Sequence, residues 1–377
     1  MAEKRSARRL AASGAALAAT GWALRKVPAE LGGKATGERL ARVLRSPQFH
    51  DGAFRNPVPA DLVEPGNAPK ILAQMLRDRN ERRPASAVPL VASPATPPSE
   101  DGLSAIWYGH ATTLVEIEGR RVLFDPVWSD RVSPSQLVGP RRLHPMPVPL
   151  ATLPTLDAVV ISHDHYDHLD RATVRALTAT QTAPFLVPLG IGAHLERWDV
   201  PASRIIELDW EEDAVVAGLR FTATAARHFS GRTLRRNDTL WGSWVVQGAQ
   251  RRVFYAGDSG YFDGYARIGA AHGPFDLTLI PIGAYSPNWP DIHMNPEEAV
   301  TAHLDLGGKL LLPVHWATFN LAPHPWAEPV DRLWLEAKAK DVHLAIPLPG
   351  DRVDAGDAPQ ISPWWELLKP PTPPAAR

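Results

Sequence analysis

The sequence predicts a mixed α/β protein of the α+β kind, and three observations lead to this prediction. Short apolar runs rich in β-branched residues recur between residues 103 and 349, as they do in strands. Segments of helical composition are interspersed among these runs. The chain has 377 residues, of which 44% are hydrophobic, so it is long enough to bury a large core.

Strands are predicted where such a run is bounded by turn residues, and the turn residues 118–120 predict a hairpin between the second and third of them. The predicted strands are 103–108, 112–117, 121–124, 157–162, 219–225, 242–247, 252–256, 276–281 and 309–314. Composition predicts a helix at 171–180, and a Pro-Glu-Glu start predicts another at 296–303.

Composition shifts divide the chain into segments 1–45, 46–100, 101–350 and 351–377. The first segment is alanine-rich and carries ten basic and three acidic residues, for a net charge of +7. The second is an extension that ends in a proline-rich connection, and the third is the globular domain. The last combines a tryptophan-containing docking segment with a proline-rich tail.

Within the first segment, the uncharged run 10–24 is shorter than the roughly 20 residues that span a membrane. It suits an export signal, or a basic helix that lies on a membrane surface or on the protein itself. We expect a membrane-associated protein of a bacterial envelope, on the periplasmic face if the segment is a signal. A peripheral cytoplasmic protein is the alternative.

Overall composition restricts the chemistry. The net charge of −1 argues against a nucleic-acid partner, because such domains are strongly basic. Without cysteine, the chain can hold a metal only through histidine and carboxylate side chains.

The segment 162–169 is the most informative part of the sequence. Its residues His163, His165, Asp167 and His168 directly follow a predicted buried strand. Buried imidazole and carboxylate groups must be paired or ligated, and histidines two positions apart on a loop can face one cation. Further candidates stand at the ends of other predicted strands: His228, Asp258 and His315.

These motifs, in this order, resemble the metallo-β-lactamase superfamily. Further blocks resemble its N-acylphosphatidylethanolamine-hydrolysing phospholipase D branch, and the likeness extends from about residue 49 to about 347; these blocks include residues 107–112, 139–142, 241–244, 256–261, 280–285 and 296–300. The resemblance implies a four-layer αβ/βα sandwich with two zinc ions at one edge, between two sheets. It implies His163, His165 and His228 on one zinc, Asp167, His168 and His315 on the other, and Asp258 bridging them.

The resemblance also implies a reaction. A water shared by the zinc ions would provide hydroxide, which attacks the phosphorus of N-acylphosphatidylethanolamine and releases phosphatidic acid and an N-acylethanolamine. Asp167 would orient the nucleophile. His293 would protonate the leaving oxygen or contact the phosphate or headgroup. Tyr166 would contact the phospholipid, and Arg232 would lie in the substrate channel. A membrane surface and a homodimer are the expected partners.

Other interpretations of the same residues remain open. A lactonase would use the same metals to attack a carbonyl carbon, and a lipid-binding envelope protein would hold zinc only structurally. Iron or manganese would also suit this ligand set. His110 and Asp125 are interpreted as supports, with His110 bonding a nearby loop and Asp125 orienting a metal-binding histidine or the loop.

Overall fold

The computed structural model describes residues 27–61, 65–77, 79–93, 99–357 and 360–369. In this part of the chain the strands are β1 Phe49–His50, β2 Ala53–Phe54, β3 Leu103–Gly109, β4 Thr112–Ile117, β5 Arg120–Phe124, β6 Ala158–Val160, β7 Phe185–Pro188, β8 Ile205–Leu208, β9 Asp213–Val216, β10 Leu219–Thr224, β11 Ser243–Gln247, β12 Arg252–Tyr255, β13 Phe275–Pro281, β14 Gly308–Val314 and β15 Arg352–Asp354. The α-helices are α1 Gly37–Arg45, α2 Ala68–Arg77, α3 Arg171–Thr180, α4 Gly192–Arg197, α5 Gly264–His272, α6 Pro296–Asp305 and α7 Glu328–Ala339.

The strands after β2 form two sheets. One has seven strands in the order β15-β3-β4-β5-β6-β7-β8, and the other has six in the order β14-β13-β12-β11-β10-β9. β5 to β8 run parallel to one another, as do β12 to β14. The carboxyl ends of several strands therefore meet at one edge of each sheet, which is where polar loops can converge.

Side chains alternate across the seven-stranded sheet and build two cores. In β5, Val122 and Phe124 face the six-stranded sheet, while Leu123 faces the opposite side with Val174 and Leu177 of α3. Helices α5 to α7 contribute buried side chains to the core of the six-stranded sheet. This arrangement of helices, sheet, sheet and helices confirms the predicted four-layer α/β sandwich.

The predicted strands and helices lie where expected to within a few residues, and α3 matches its predicted bounds. The hairpin turn at Glu118 and Gly119 has positive φ at both residues, as a tight turn between twisted strands requires. Six strands, β1, β2, β7, β8, β9 and β15, were not predicted from the sequence, and neither were five of the helices. These elements are short or carry a weak apolar period, so their pairing partners rather than their own residues define them.

The described part of segment 1–45 lies on the domain. Arg39 bonds Glu196 and Glu207, and Arg42 bonds Glu212 and the carbonyl of Glu207. Two of the three basic side chains of α1, Arg39 and Arg42, are thus paired within the protein, as in the alternative in which this segment covers the domain itself. The run 10–24 lies outside the described residues. No helix among the described residues combines the length and apolar character needed to cross a membrane.

The C-terminal segment is also built into the domain. β15 pairs antiparallel with β3, so the seven-stranded sheet continues past the predicted boundary at residue 350. Trp365 is fully buried, and its indole donates to Asp331 of α7. The tail 370–377 lies outside the described residues.

Candidate metal centre

Loops at the carboxyl ends of strands from both sheets bring the predicted metal ligands together. The segment 163–168 follows β6 of the seven-stranded sheet. His228, Asp258 and His315 follow β10, β12 and β14 of the six-stranded sheet. All seven side chains therefore meet where the edges of the two sheets adjoin.

The first group of ligand atoms consists of three imidazole nitrogens. His165 Nδ1 lies 2.9 Å from His163 Nε2 and 3.3 Å from His228 Nε2. The ligand atoms of these residues all lie within 4.8 Å of one another, close enough to hold one metal ion. His163 and His228 are fully buried, so solvent cannot satisfy their facing nitrogens.

The second group combines Asp167 with imidazoles. Asp167 Oδ2 lies 3.5 Å from His168 Nε2, 3.4 Å from His315 Nε2 and 2.9 Å from His110 Nε2. These four residues form a second set able to hold a metal ion. His110 was interpreted from sequence only as a support, and its carbonyl does accept a hydrogen bond from the backbone N–H of His315.

Asp258 lies between the two groups. Its Oδ2 is 3.1 Å from both His168 Nε2 and His315 Nε2, and 3.9 Å and 3.8 Å from the Nε2 atoms of His163 and His228. One carboxylate oxygen thus faces both groups, as a bridging ligand would.

Unpaired buried atoms test whether cations fit this cluster. His168 Nε2, His315 Nε2 and Asp258 Oδ1 are buried and make no hydrogen bond within the described structure. Buried polar atoms without partners are rare, and imidazole nitrogens with carboxylate oxygens are the ligands that zinc and related ions take in the absence of thiolate. The donor set therefore fits metal ions.

Asp125 is the main support of the cluster. This fully buried carboxylate accepts hydrogen bonds from His168 Nδ1 at 2.6 Å and from the Ser162 hydroxyl at 2.5 Å. It also accepts from the Ser162 backbone N–H at 2.7 Å and from the Tyr255 hydroxyl. Because Nδ1 keeps a proton to donate to Asp125, Nε2 is the nitrogen of His168 that faces the cluster and could bind a cation.

Other backbone contacts orient His228. Its Nδ1 donates to the carbonyl of Ile292 at 2.9 Å, which turns Nε2 toward the other ligands. The side-chain amide of Asn56 bonds both the N–H and the C=O of His228, at 2.9 Å and 2.7 Å. Asn56, which lies before the globular domain in the sequence, therefore helps to position the candidate ligand His228.

Backbone conformation at the site is unusual. Asp125, His110 and His315 have φ values of 36°, 52° and 63°. Residues other than glycine rarely adopt positive φ, and each instance costs roughly 1–3 kcal/mol. The surrounding hydrogen bonds hold these residues in conformations that a loop would not choose, as is common at functional sites.

Burial and close contacts between charged groups shift the pKa values of the clustered histidines and of Asp258. Burial and neighbouring imidazoles lower the pKa of His163 and His228 well below the usual value, so both imidazoles are neutral, as metal binding would require. For Asp258, burial would raise the pKa, but His168 and His315 outweigh it and lower the pKa well below its usual range. Burial likewise opposes protonation of His168 and His315, yet the carboxylates raise both pKa values, that of His315 to about 9. In the metal-free protein, protons on these two imidazoles balance the carboxylates, and cations would replace them.

The predicted substrate residues occupy different positions. His293 Nδ1 lies 4.0 Å from Asp258 Oδ2, beside the cluster. Tyr166 donates its hydroxyl proton to the Arg232 carbonyl at 2.9 Å. Arg232 is buried under the metal loop, where its guanidinium donates to the carbonyls of Asp164 and Leu169 and covers the Tyr166 ring. A place for Arg232 in the substrate channel stays a prediction, and its contacts are those of a support for the loop.

A cleft of about 460 Å³ opens beside His293. Tyr285, His324, Glu328 and Arg332 line its polar side, and the Tyr285 hydroxyl donates to Glu328 at 2.5 Å. Sequence reasoning did not single out these residues, and it missed Asn56 and Tyr255 as supports. A lone tyrosine or asparagine carries no local signal of the distant residue that it contacts.

The sequence also matches a known family. The family described as "Beta-lactamase superfamily domain" matches residues 120–316. The chain belongs to this superfamily and is a metal-dependent hydrolase of the metallo-β-lactamase fold, which confirms the fold and enzyme class predicted from its motifs.

Two proteins of similar sequence and one of similar structure show which members of the superfamily this chain resembles. An uncharacterized protein of Mycobacterium tuberculosis is 53% identical over 371 residues, covering 96% of this chain and all of that protein. N-acyl-phosphatidylethanolamine-hydrolyzing phospholipase D 1 of Caenorhabditis elegans is 40% identical over 248 residues, covering 62% of this chain and 70% of the relative. This match confirms the resemblance to that branch. The structure of Igni18, a metallo hydrolase from Ignicoccus hospitalis, shares the fold with a TM-score of 0.53 at 22% identity, over 67% of this chain and 97% of that one.

Proposed function

We propose that this hydrolase is a dinuclear zinc phosphodiesterase that cleaves N-acylphosphatidylethanolamine-like phospholipids between the phosphate and the N-acylethanolamine headgroup. The observation that carries the proposal is the position of Asp258 Oδ2 between two separate ligand groups. The substrate class is supported by the 40% identity to the phospholipase D of C. elegans. Three imidazoles on one side and a carboxylate with imidazoles on the other suit zinc.

His163, His165 and His228 would hold one ion, Asp167, His168 and His315 the other, and Asp258 both. When bound, such ions lower the pKa of water and offset negative charge on phosphate oxygens. Each ion would have four protein ligands, one of them the shared Asp258, and zinc in catalytic sites can expand to five ligands, which would give water or substrate a position.

The remaining residues would position the reactants. Asp167 is held by His110, so its carboxylate has a fixed direction from which to orient a nucleophilic water. Burial lowers the pKa of His293 to about 4, so its imidazole is neutral at pH 7. His293 would therefore donate a neutral hydrogen bond to phosphate or headgroup rather than act as a charged acid. Tyr166 is partly exposed, and the part of its ring that Arg232 does not cover would contact the phospholipid.

The test is turnover of N-acylphosphatidylethanolamine by purified protein, with elemental analysis of the same sample. Wild-type protein should release phosphatidic acid and N-acylethanolamine and should contain about two zinc ions per chain. Asp258→Asn should lose both metal and turnover, because one oxygen that faces both groups becomes an amide nitrogen. Diesterase activity that survives metal removal contradicts the proposal, and hydrolysis of lactones without phospholipid turnover favours the lactonase alternative.

A further inference from the structure

Two surface loops near the metal loop expose apolar side chains at their tips. Leu137 and Val138 are 60% and 65% exposed, and Leu234 is fully exposed. Exposed leucines also occur elsewhere on the described surface, for example Leu335 at 68% and Leu367 at 86%. Exposure alone therefore does not mark a binding surface. These two loops differ from the other exposed leucines in three respects: their internal hydrogen bonds, their contacts with the metal loop and the charge around them.

The first loop turns its polar groups inward. The Ser133 hydroxyl donates to the carbonyls of Ser135 and Val138, and the Gln136 side-chain amide bonds both backbone groups of Arg131. The polar side chains thus satisfy the loop backbone, whereas Leu137 and Val138 point to solvent.

The second loop has a similar construction. The Thr233 hydroxyl donates to the Arg235 carbonyl and accepts from the Arg235 backbone N–H, which closes a small turn. Leu234 lies at the tip of this turn. Both tips are therefore held by local hydrogen bonds that do not involve their apolar side chains.

Tyr166 of the metal loop connects the two loops. Its side chain packs against the small cluster of Val127, Val132 and Phe319, of which Val132 lies at the base of the first loop, and its hydroxyl donates to the carbonyl of Arg232 in the second loop. Arg236 covers Phe229, whose ring contacts the metal-ligand candidate His165. Contacts at the bases of both loops therefore converge on the metal loop, through Tyr166 and Phe229.

The charge of this region is opposite in sign to that of the whole chain. Four arginines, Arg131, Arg141, Arg235 and Arg236, are partly or largely exposed around the tips, against two aspartates, Asp130 and Asp238. Arg141 pairs with Asp130 at 2.7 Å and Arg235 with Asp238 at 2.5 Å, so Arg131 and Arg236 supply the excess positive charge. The region is therefore positive, whereas the chain carries −1. Apolar tips surrounded by arginine suit an anionic phospholipid surface, because the tips enter the headgroup region while the arginines meet phosphates.

We propose that these two loop tips, Leu137, Val138 and Leu234 with their four arginines, dock the enzyme on an anionic lipid bilayer. The proposal rests on the proposed function in one respect: docking at this face would present the site to a phospholipid.

The experiment is flotation of the full-length protein with vesicles of phosphatidylcholine alone or with about 30% phosphatidylglycerol, in the range of anionic surfaces that attract basic segments. The test variant is Leu137→Ser/Val138→Ser/Leu234→Ser, and the matched control is Leu335→Ser/Leu367→Ser. We expect vesicle binding by the test variant to fall about tenfold or more, and binding by the control to match wild type. The wild type should bind the anionic vesicles better than the neutral ones.

Measuring turnover of a soluble substrate and of vesicles distinguishes failure of the docking proposal from failure of the proposed function. On a soluble short-chain N-acylphosphatidylethanolamine, the test variant should be as active as wild type, and on vesicles it should be slower. If wild type cleaves neither substrate, the proposed function fails while the flotation result still decides docking. If the test variant floats like wild type, as it would were segment 1–26 the anchor, the docking proposal is overturned. A change in oligomeric state with unchanged flotation also overturns it.

Discussion

Asp125→Asn tests how the fold prepares a metal ligand. Asp125 Oδ2 accepts from His168 Nδ1, from the Ser162 hydroxyl and from the Tyr255 hydroxyl. An amide nitrogen at that position has two N–H donors and cannot accept a hydrogen bond from any of the three groups. The two hydroxyls can rotate and accept, but the His168 ring can accept at Nδ1 only if its proton moves to Nε2. Nε2 is the atom that faces Asp258, so His168 would lose the lone pair that binds metal.

The magnitude follows from the loss of one oriented ligand. Removing such a supporting partner typically weakens metal binding 10–100-fold, or about 1.4–2.8 kcal/mol. Because the hydroxyls reorient, the metal-free protein should lose no more than about 1–3 kcal/mol of unfolding free energy. The weakening should concern the ion held with Asp167 and His315 more than the ion on the other side of Asp258.

The assay is zinc competition against a chromophoric chelator, with the two binding steps resolved. The matched control is Asp276→Asn, a buried carboxylate on β13 that accepts from the Arg252 backbone N–H and from Lys309. Its zinc affinities should equal those of wild type. If Asp125→Asn binds both ions as tightly as wild type, the tautomer argument is refuted.

Two further predictions concern protonation and backbone space. The pKa of His315 is about 9 and that of His168 is also raised, so their stabilisation of metal-free protein is complete below pH ~6.5 and is lost as the pH rises through about 9. Melting temperature in chelator should therefore fall over this interval while zinc affinity rises, and flat profiles in calorimetry and metal titration would contradict this. In Gly283→Ala, the new Cβ would lie 2.2 Å from the His315 carbonyl oxygen, so we expect a destabilisation of about 1–3 kcal/mol in denaturant unfolding and weaker zinc binding. Gly356→Ala, with no atom within 4 Å, is the control for both measurements, and equal behaviour of the two variants would count against the crowding argument.

Elements and site residues could be predicted from the sequence where neighbouring residues form a strong pattern. Three histidines and two aspartates in six positions stand out in any chain, and strands with continuous apolar runs were recognised because both of their faces are buried. β7 and β8 were missed although they are paired in the sheet, because short strands gain their definition from neighbours. His110 could be interpreted only as a support, since nothing local predicts that its Nε2 lies 2.9 Å from Asp167.

The sequence by itself determined the fold class, the superfamily and the residue types available to hold metal, because these depend on local patterns and on the order of motifs along the chain. Only the tertiary structure decided that one oxygen of Asp258 faces both ligand groups, that Asn56 orients His228 from 172 positions away, and that Arg232 lies beneath the metal loop. Such contacts arise from the order of strands in two sheets, and a residue's neighbours across a sheet edge leave no trace in its neighbours along the chain.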